Sequence, residues 1–574
     1  MRKGWFVWLW LGVAIGCGDD TLPATNGSRD TGRVERDTET DDSTVTDASG
    51  ADSTETPDTG ADGSGTADTD PGDTVADTDP GDTVADTDPG DTVADTDPGD
   101  TVADTDPGDT VADTDPGDTS SDTSDGSGGS SADPFATGPL LGRPAATSMA
   151  VHLLLDSAAE VRLIASSGSA PSREVSLSLA AGPSAVDLAG LSANTRYDYT
   201  VDWRAPGDAA WVPFVENGSF QTARAAGQPF TFTIQADSHL DENSDIERYR
   251  VTLENIRLDQ PDFHMDLGDT FMAEKHSEPF SAVVARAPNL ATVQTRYAFE
   301  RDNFAALGPS LPLFLITGNH EGEMGYLREP DLDDLPTWAD ASRRAYFADP
   351  AADAFYGGTP GTPGSGNYYA FTWGDALIVV LDPFTFTNGR PNRDPWLWTL
   401  GETQWAFLES TLLASTARFK FVFIHNLVGG AQNAMRGGAE ASVLYEWGGQ
   451  ELDGTDGFAT HRPTWRTPIH DLFVETGVTA VFHGHDHFFA QQERDGIIYQ
   501  TVPQPAAINT RNGTTLAADY GYLAGTFLSS AGHMRVSVSD TAVTAEYVRS
   551  WLPSEERPGQ TNREIAAAWT VNAP

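Results

Sequence analysis

Four short strings and one lone histidine carry the side chains in this chain that could do chemistry. They are Asp237-Ser-His239, Gly268-Asp269, Gly318-Asn319-His320-Glu321, Gly484-His485-Asp486-His487 and, before the last, His425. Aspartate is a charged oxygen donor that can bridge two cations, and Asn319 is a neutral one that limits charge build-up. Imidazoles select Zn, Fe or Mn over Ca. Together these groups suffice for two divalent metals sharing one carboxylate. Metals about 4 Å apart can share a hydroxide of lowered pKa and clamp the oxygens of a phosphoryl group. The implied reaction is in-line hydrolysis of a phosphate ester. His320, beside Asn319, is placed to protonate the leaving group. Glu321 could fix the His320 ring, or it could be a carboxylate at a helix N-terminus.

Each string must be held by an element that ends where the chemistry begins. Phe230–Gln235 reads as a strand running into Asp237, 262–267 into Asp269 and 313–317 into Asn319. Residues 419–424 run into His425, and 478–483 into His485. Between these apolar runs lie helix-like stretches, the pattern of an α/β fold. In such sheets sites form at the C-terminal ends of strands, which is where all five fall. Phe407, Leu408, Leu412 and Leu413 share helical spacing and read as a core-facing stripe.

The ordered motifs resemble those of the calcineurin-like metallophosphatase superfamily, over roughly residues 230 to 550. That resemblance implies a four-layer α/β/β/α sandwich of two mixed sheets with a dinuclear site at the strand ends. It implies that Asp237, His239, Asp269 and His487 hold one metal. Asp269, Asn319, His425 and His485 would hold the other, with Asp269 as the bridge. Strand-like runs at 368–375 and 376–382 are similar to those of purple acid phosphatases. Two departures stand out. Met272 occupies the place of that group's ligand tyrosine, and His239 supplies a histidine its first motif lacks. The resemblance therefore implies two divalent ions, Mn, Fe or Zn, rather than a tyrosinate–iron(III) pair.

His276, His461 and Asn426, in loops near the motifs, could touch substrate, and His483 before the last turn could support a ligand from behind, but for each the structural reading is favoured. A glycine-rich loop around 429–449, with Arg436 and Trp447, is open to two readings, a lid or a plain surface loop.

The chain has 574 residues and a net charge of −52. The stretch 18–134 holds 34 acidic against 3 basic residues, a net −31. An acidic body is a poor partner for nucleic acid, so none is expected. In the same stretch a nine-residue Asp-Thr-Asp-Pro-Gly-Asp-Thr-Val-Ala unit recurs from Asp68, Asp77, Asp86, Asp95 and Asp104, degenerating at Asp113. With so little apolar surface it should stay disordered, as a self-repelling spacer. The one cysteine, Cys17, follows a short basic start and an apolar run from Trp5 to Ile15 too short to cross a bilayer. This resembles a bacterial lipoprotein signal, which implies lipidation at Cys17 and a membrane anchor. An ordinary secretory signal is the alternative.

From about Leu140 to Thr222, short alternating runs read as strands. Leu188-x-x-Leu191 followed by Thr195-x-Tyr197-x-Tyr199 resembles the tyrosine corner of fibronectin type III sandwiches, which implies that Tyr197 or Tyr199 bonds across the sandwich end. The expected layout is a lipoprotein signal at 1–17, a disordered linker at 18–137 and a fibronectin III-like sandwich at 138–225. A metallophosphatase domain at 226–552 and a tail at 553–574 follow. The expected protein is a phosphoesterase acting on small mono- or diesters, exported and tethered at the cell surface or in the periplasm. The alternative is an inactive surface-display protein that keeps the scaffold for binding. Substrate preference and oligomeric state are not legible.

Overall fold

The structure, a computed structural model, describes residues 132–574 apart from 242–243, 271, 273–287, 362–363, 390–393 and 431–434. The expected signal at 1–17 and nearly all of the expected linker lie outside the described residues, as does His276. Among the described residues no helix is long and apolar enough to cross a membrane.

Two sheets build the larger part of the described chain. One has nine strands, in the order Ile565–Asn572, Ala542–Arg549, Gly532–Val538, Phe230–Gln235, Phe263–Asp266, Pro312–Leu315, Phe135–Gly142, Ser148–Leu155 and Gly182–Ala189. The other has seven: Tyr369–Trp373, Ala376–Val380, Phe419–Ile424, Ala480–His483, Ile497–Thr501, Phe489–Arg494 and Thr526–Leu528. Successive side chains of a strand face opposite ways, and both faces of these strands are covered. Phe230, Phe232 and Ile234 point into a core shared with Phe419, Phe421 and Phe423 of the other sheet. On the outer side of the first sheet, helices Ile246–Leu258 and Leu290–Phe304 pack Leu253, Ile256, Tyr297 and Phe304 against Leu313 and Leu315. On the outer side of the second, Gly401–Ala414 and Ile469–Thr476 cover Val422 and Val481. The result is the expected α/β/β/α sandwich. In the stripe on Gly401–Ala414, Leu408 and Leu412 are buried but Leu413 is exposed. Trp405 and Gln404 take the inner face instead.

The N-terminal strands form a small sandwich. Strands 135–142, 148–155 and 182–189 face the four-stranded sheet Ala170–Leu179, Ala159–Ser167, Arg196–Arg204 and Val212–Gln221 across one core. Tyr197 is its tyrosine corner: the buried hydroxyl accepts the Ser192 N–H at 2.9 Å. Tyr199 instead donates outward, to the Pro309 carbonyl at 2.6 Å. This sandwich has no sheet of its own on one side. Its first strand starts at Phe135, within the stretch assigned to the linker, and pairs in parallel with Pro312–Leu315. That neighbour is the strand that leads into Gly318–Glu321.

The stretch from 553 is also more than a tail. Ile565–Asn572 is an edge strand, paired with Ala542–Arg549. Its Trp569 sits in the core between the sheets, with its ring N–H on the Gln500 side chain of the other sheet at 2.9 Å. Trp569→Ala should cost about 3–5 kcal/mol, as for other buried aromatics, read as a lowered denaturation midpoint.

Candidate metal centre

Five parallel strands aim five turns at one place. Phe230–Gln235, Phe263–Asp266 and Pro312–Leu315 are adjacent and parallel in the first sheet. Phe419–Ile424 and Ala480–His483 are adjacent and parallel in the second. Where the two sheets' C-terminal edges meet, the donor atoms of Asp237, His239 and His487 lie within 4.8 Å of one another, and so do those of Asp269, His425 and His485. Asn319 joins the second set, its Oδ1 3.2 Å from His425 Nε2. The structure thus brings all seven expected residues together.

Asp269 lies between the sets. Its Oδ2 is 3.0 Å from His425 Nε2, and 4.0 Å from both His239 Nε2 and His485 Nδ1. Yet this buried oxygen has no hydrogen bond of proper geometry. His239 Nε2 and His487 Nε2 face each other at 2.9 Å, and His425 Nε2 and His485 Nδ1 at 3.2 Å. An unsatisfied carboxylate oxygen among converging imidazole nitrogens is the donor set a divalent cation requires. Where His425 points is settled by its other nitrogen, which donates to the Leu267 carbonyl at 3.0 Å.

The protonation states fit the same use. Burial drives His239 down to about 4. Burial and neighbouring positive charge also hold His485 and His487 well below the usual histidine range. That direction favours the neutral ring, which keeps a lone pair for a cation. Burial pushes the Asp237 carboxyl up, with Asp269 adding to it. Burial would raise Asp269 too, but His425, His320 and His239 outweigh it and hold that carboxyl well below the ordinary range. Burial lowers His425 as well, yet Asp269 reverses this and lifts it to about 9. Positive charge is what this pair of carboxylates demands.

The turns are tight. Asp237, His239, Asp269, His485 and His487 all have positive φ, between 53° and 69°, a backbone region that non-glycine residues rarely adopt and that clusters at functional sites. Two glycines let the turns touch. A Cβ on Gly318 would collide with the Asp269 backbone nitrogen, and one on Gly484 would lie 2.7 Å from Asp237 Oδ2.

Sequence reasoning missed several supports. Glu321, expected either to fix the His320 ring or to sit at a helix N-terminus, is fully buried. It accepts the N–H groups of Asp269 at 3.0 Å, Thr270 at 2.8 Å and Gly318 at 2.6 Å, and the Thr270 hydroxyl at 2.9 Å. Four donors fill the lone pairs of one carboxylate, so Glu321 clamps the Asp269 turn. His320 donates its backbone N–H to Asp269 Oδ1 at 2.7 Å, and its ring meets the His239 ring edge-on at 5.2 Å. Asp486, between two of the donors, accepts from Arg436, Gly437 and Tyr522. His483 reaches that network through Thr501. His461 stacks on Trp396, Trp447 is core, and Asn426 is buried. A cavity of about 410 Å³ opens beside His239 and His487, walled by Asp241, Gln504, Asn509 and Asn512. No motif marked that wall.

Residues 230–489 match the family model of calcineurin-like phosphoesterases. The chain carries a calcineurin-like metallophosphatase domain. No curated protein matches the chain. In fold it is similar to the solved structure of PhoD, with a TM-score of 0.54, 16% identity, and coverage of 77% of this chain and 90% of that one. It is also similar to purple acid phosphatase PPD1 from yellow lupin (Lupinus luteus) seeds, with a TM-score of 0.50, 13% identity, and coverage of 76% and 75%. Met272, at the place of the purple enzymes' tyrosine, lines the cavity beside the metallophosphatase donors.

Glu321→Gln would turn an amide NH₂ toward backbone donors. It should cost about 1.5–3 kcal/mol, the worth of hydrogen bonds to a charged group, seen in unfolding with chelator present, and should weaken metal uptake.

Proposed function

We propose that this chain is an exported phosphoesterase that hydrolyses small phosphate mono- or diesters with two divalent metals. Asp237, His239, His487 and Asp269 would hold one ion, and Asp269, Asn319, His425 and His485 the other. The observation that carries this is the unsatisfied Oδ2 of Asp269, set between two clusters of imidazole and carboxylate donors. All the ligands are N or O, a set suited to Mn, Fe or Zn. When bound, the metals supply a nucleophile at neutral pH and neutralise charge on the phosphoryl oxygens.

The chain's own residues do the rest. His320, half-buried and tied by its N–H to Asp269, would give a proton to the leaving alcohol. Glu321 holds Asp269 in register from behind. The Asp486 network fixes the turn that presents His485 and His487. The cavity beside His239 and His487 takes the ester's organic part.

Stripped protein should be inactive, and Mn²⁺, Zn²⁺ or Fe²⁺ should restore hydrolysis of para-nitrophenyl phosphate or its bis ester. About two metals per chain should be found by elemental analysis. His320→Ala should keep that content while kcat falls about 10²–10⁴-fold. A content well below two, or no turnover with any metal, would sink the reading and favour the inactive binding scaffold.

We further propose that Cys17 is lipidated and tethers the enzyme to a membrane through the acidic spacer. Wild-type protein expressed with its leader should enter the detergent phase, and Cys17→Ser should stay in the aqueous phase. Equal partitioning would refute the anchor.

A further inference from the structure

The cavity beside His239 and His487 has a wall that the metal chemistry does not need. Gln504, Asn509 and Asn512 stand there together with the carboxylate of Asp241. We infer that this wall is an alcohol subsite, selecting phosphoesters whose organic part is uncharged and bears hydroxyls, as in a polyol or sugar. The inference rests on the phosphoesterase reading above.

Three observations carry it. Position comes first: two of the metal-donor histidines form one side of the cavity, so whatever fills it is attached to the phosphorus being attacked. Second is the chemistry of the wall. A carboxamide offers both N–H donors and a carbonyl acceptor, and a hydroxyl can answer both. A carboxylate or a second phosphate can only accept. Among the described residues no lysine or arginine lines the cavity, so none of them offers a further anion an ion pair there. Met272 and the exposed Ile508 supply apolar surface for the carbon skeleton.

The third is rigidity. The backbone N–H of Gln504 donates to the Ser530 hydroxyl at 2.9 Å, and that hydroxyl donates to the His487 carbonyl at 2.8 Å. One side chain therefore ties the wall to a metal-donor residue. The Ala506 and Pro505 carbonyls accept from the Asp245 N–H at 2.9 Å and the Thr252 hydroxyl at 3.0 Å. Asn509 Oδ1 accepts the Arg511 N–H at 2.9 Å, which orients that amide. A wall fixed this way discriminates because unmatched polar groups in a formed site penalise the analogue that lacks a hydroxyl.

The test compares three alcohols on one skeleton in metal-loaded full-length protein. These are glycerol 2-phosphate, isopropyl phosphate, which lacks both hydroxyls, and 2-phosphoglycerate, in which a carboxylate replaces one hydroxymethyl group. Each is assayed as monoester and as methyl diester. Wild type should show kcat/KM about tenfold higher for the glycerol ester than for the isopropyl ester, the worth of one or two matched hydrogen bonds, with the carboxylate ester slower than the glycerol ester. Gln504→Leu combined with Asn512→Leu should bring the glycerol-to-isopropyl ratio to within about twofold of unity. A wild-type ratio at or below one overturns the subsite even if the variant does not fold. So does a ratio the variant leaves unchanged. Hydrolysis of none of the six esters with any metal would instead remove the phosphoesterase reading, and the subsite with it.

Discussion

Two carboxylates, Asp237 and Asp269, are sealed from water in one spot where their charges face each other. Burying one charge is costly, and burying two of like sign without compensation is prohibitive. The surrounding structure is organised around that burden. Burial lowers three of the histidines, Asp269 raises a fourth, and the Asp269 Oδ2 is left without a hydrogen bond among them. Bound cations would discharge the repulsion and would be worth folding free energy.

Bringing those groups together asks much of the backbone. Five of the seven donor residues sit in left-handed turns. Such strain lasts only where neighbours over-determine it, and here they do. Asp237 accepts the His485 N–H at 2.9 Å, His239 donates its N–H to the Asp269 carbonyl at 2.9 Å, and Glu321 binds the Asp269 turn. Each turn is thus held by another that approaches from a different strand. Gly318 is where one turn meets the Asp269 backbone, and Gly484 is where another meets the Ala236 and Asp237 side chains.

Further support comes from the sheets. The small N-terminal sandwich adds its strands to the edge of the nine-stranded sheet, directly beside the strand that carries Asn319 and His320. Tyr199 bonds the loop before that strand. The edge strand Ile565–Asn572 closes the opposite side and reaches the second sheet through Trp569. Both ends of the described chain therefore brace the sheet from which three of the five donor turns emerge.

Residue type and order carried much of this. The donors, their place at strand ends, the alternating strands, the tyrosine corner and the two-sheet fold were all legible, because each is written in local pattern: period two, glycine beside a ligand, aspartate after an apolar run. Tertiary structure alone decided the rest. It made Glu321, open to two readings in the sequence, a clamp on Asp269, because three donors from the Asp269–Thr270 turn and one from its own loop converge on it. It merged one face of the small sandwich into the nine-stranded sheet, because neither strand's local pattern names its partner. It moved Leu413 out of the core, made a strand of the last residues, and set Gln504, Asn509 and Asn512 beside His239. Those outcomes depend on which distant segments meet. A local pattern can say what a side chain is able to bind, but not what will be standing next to it.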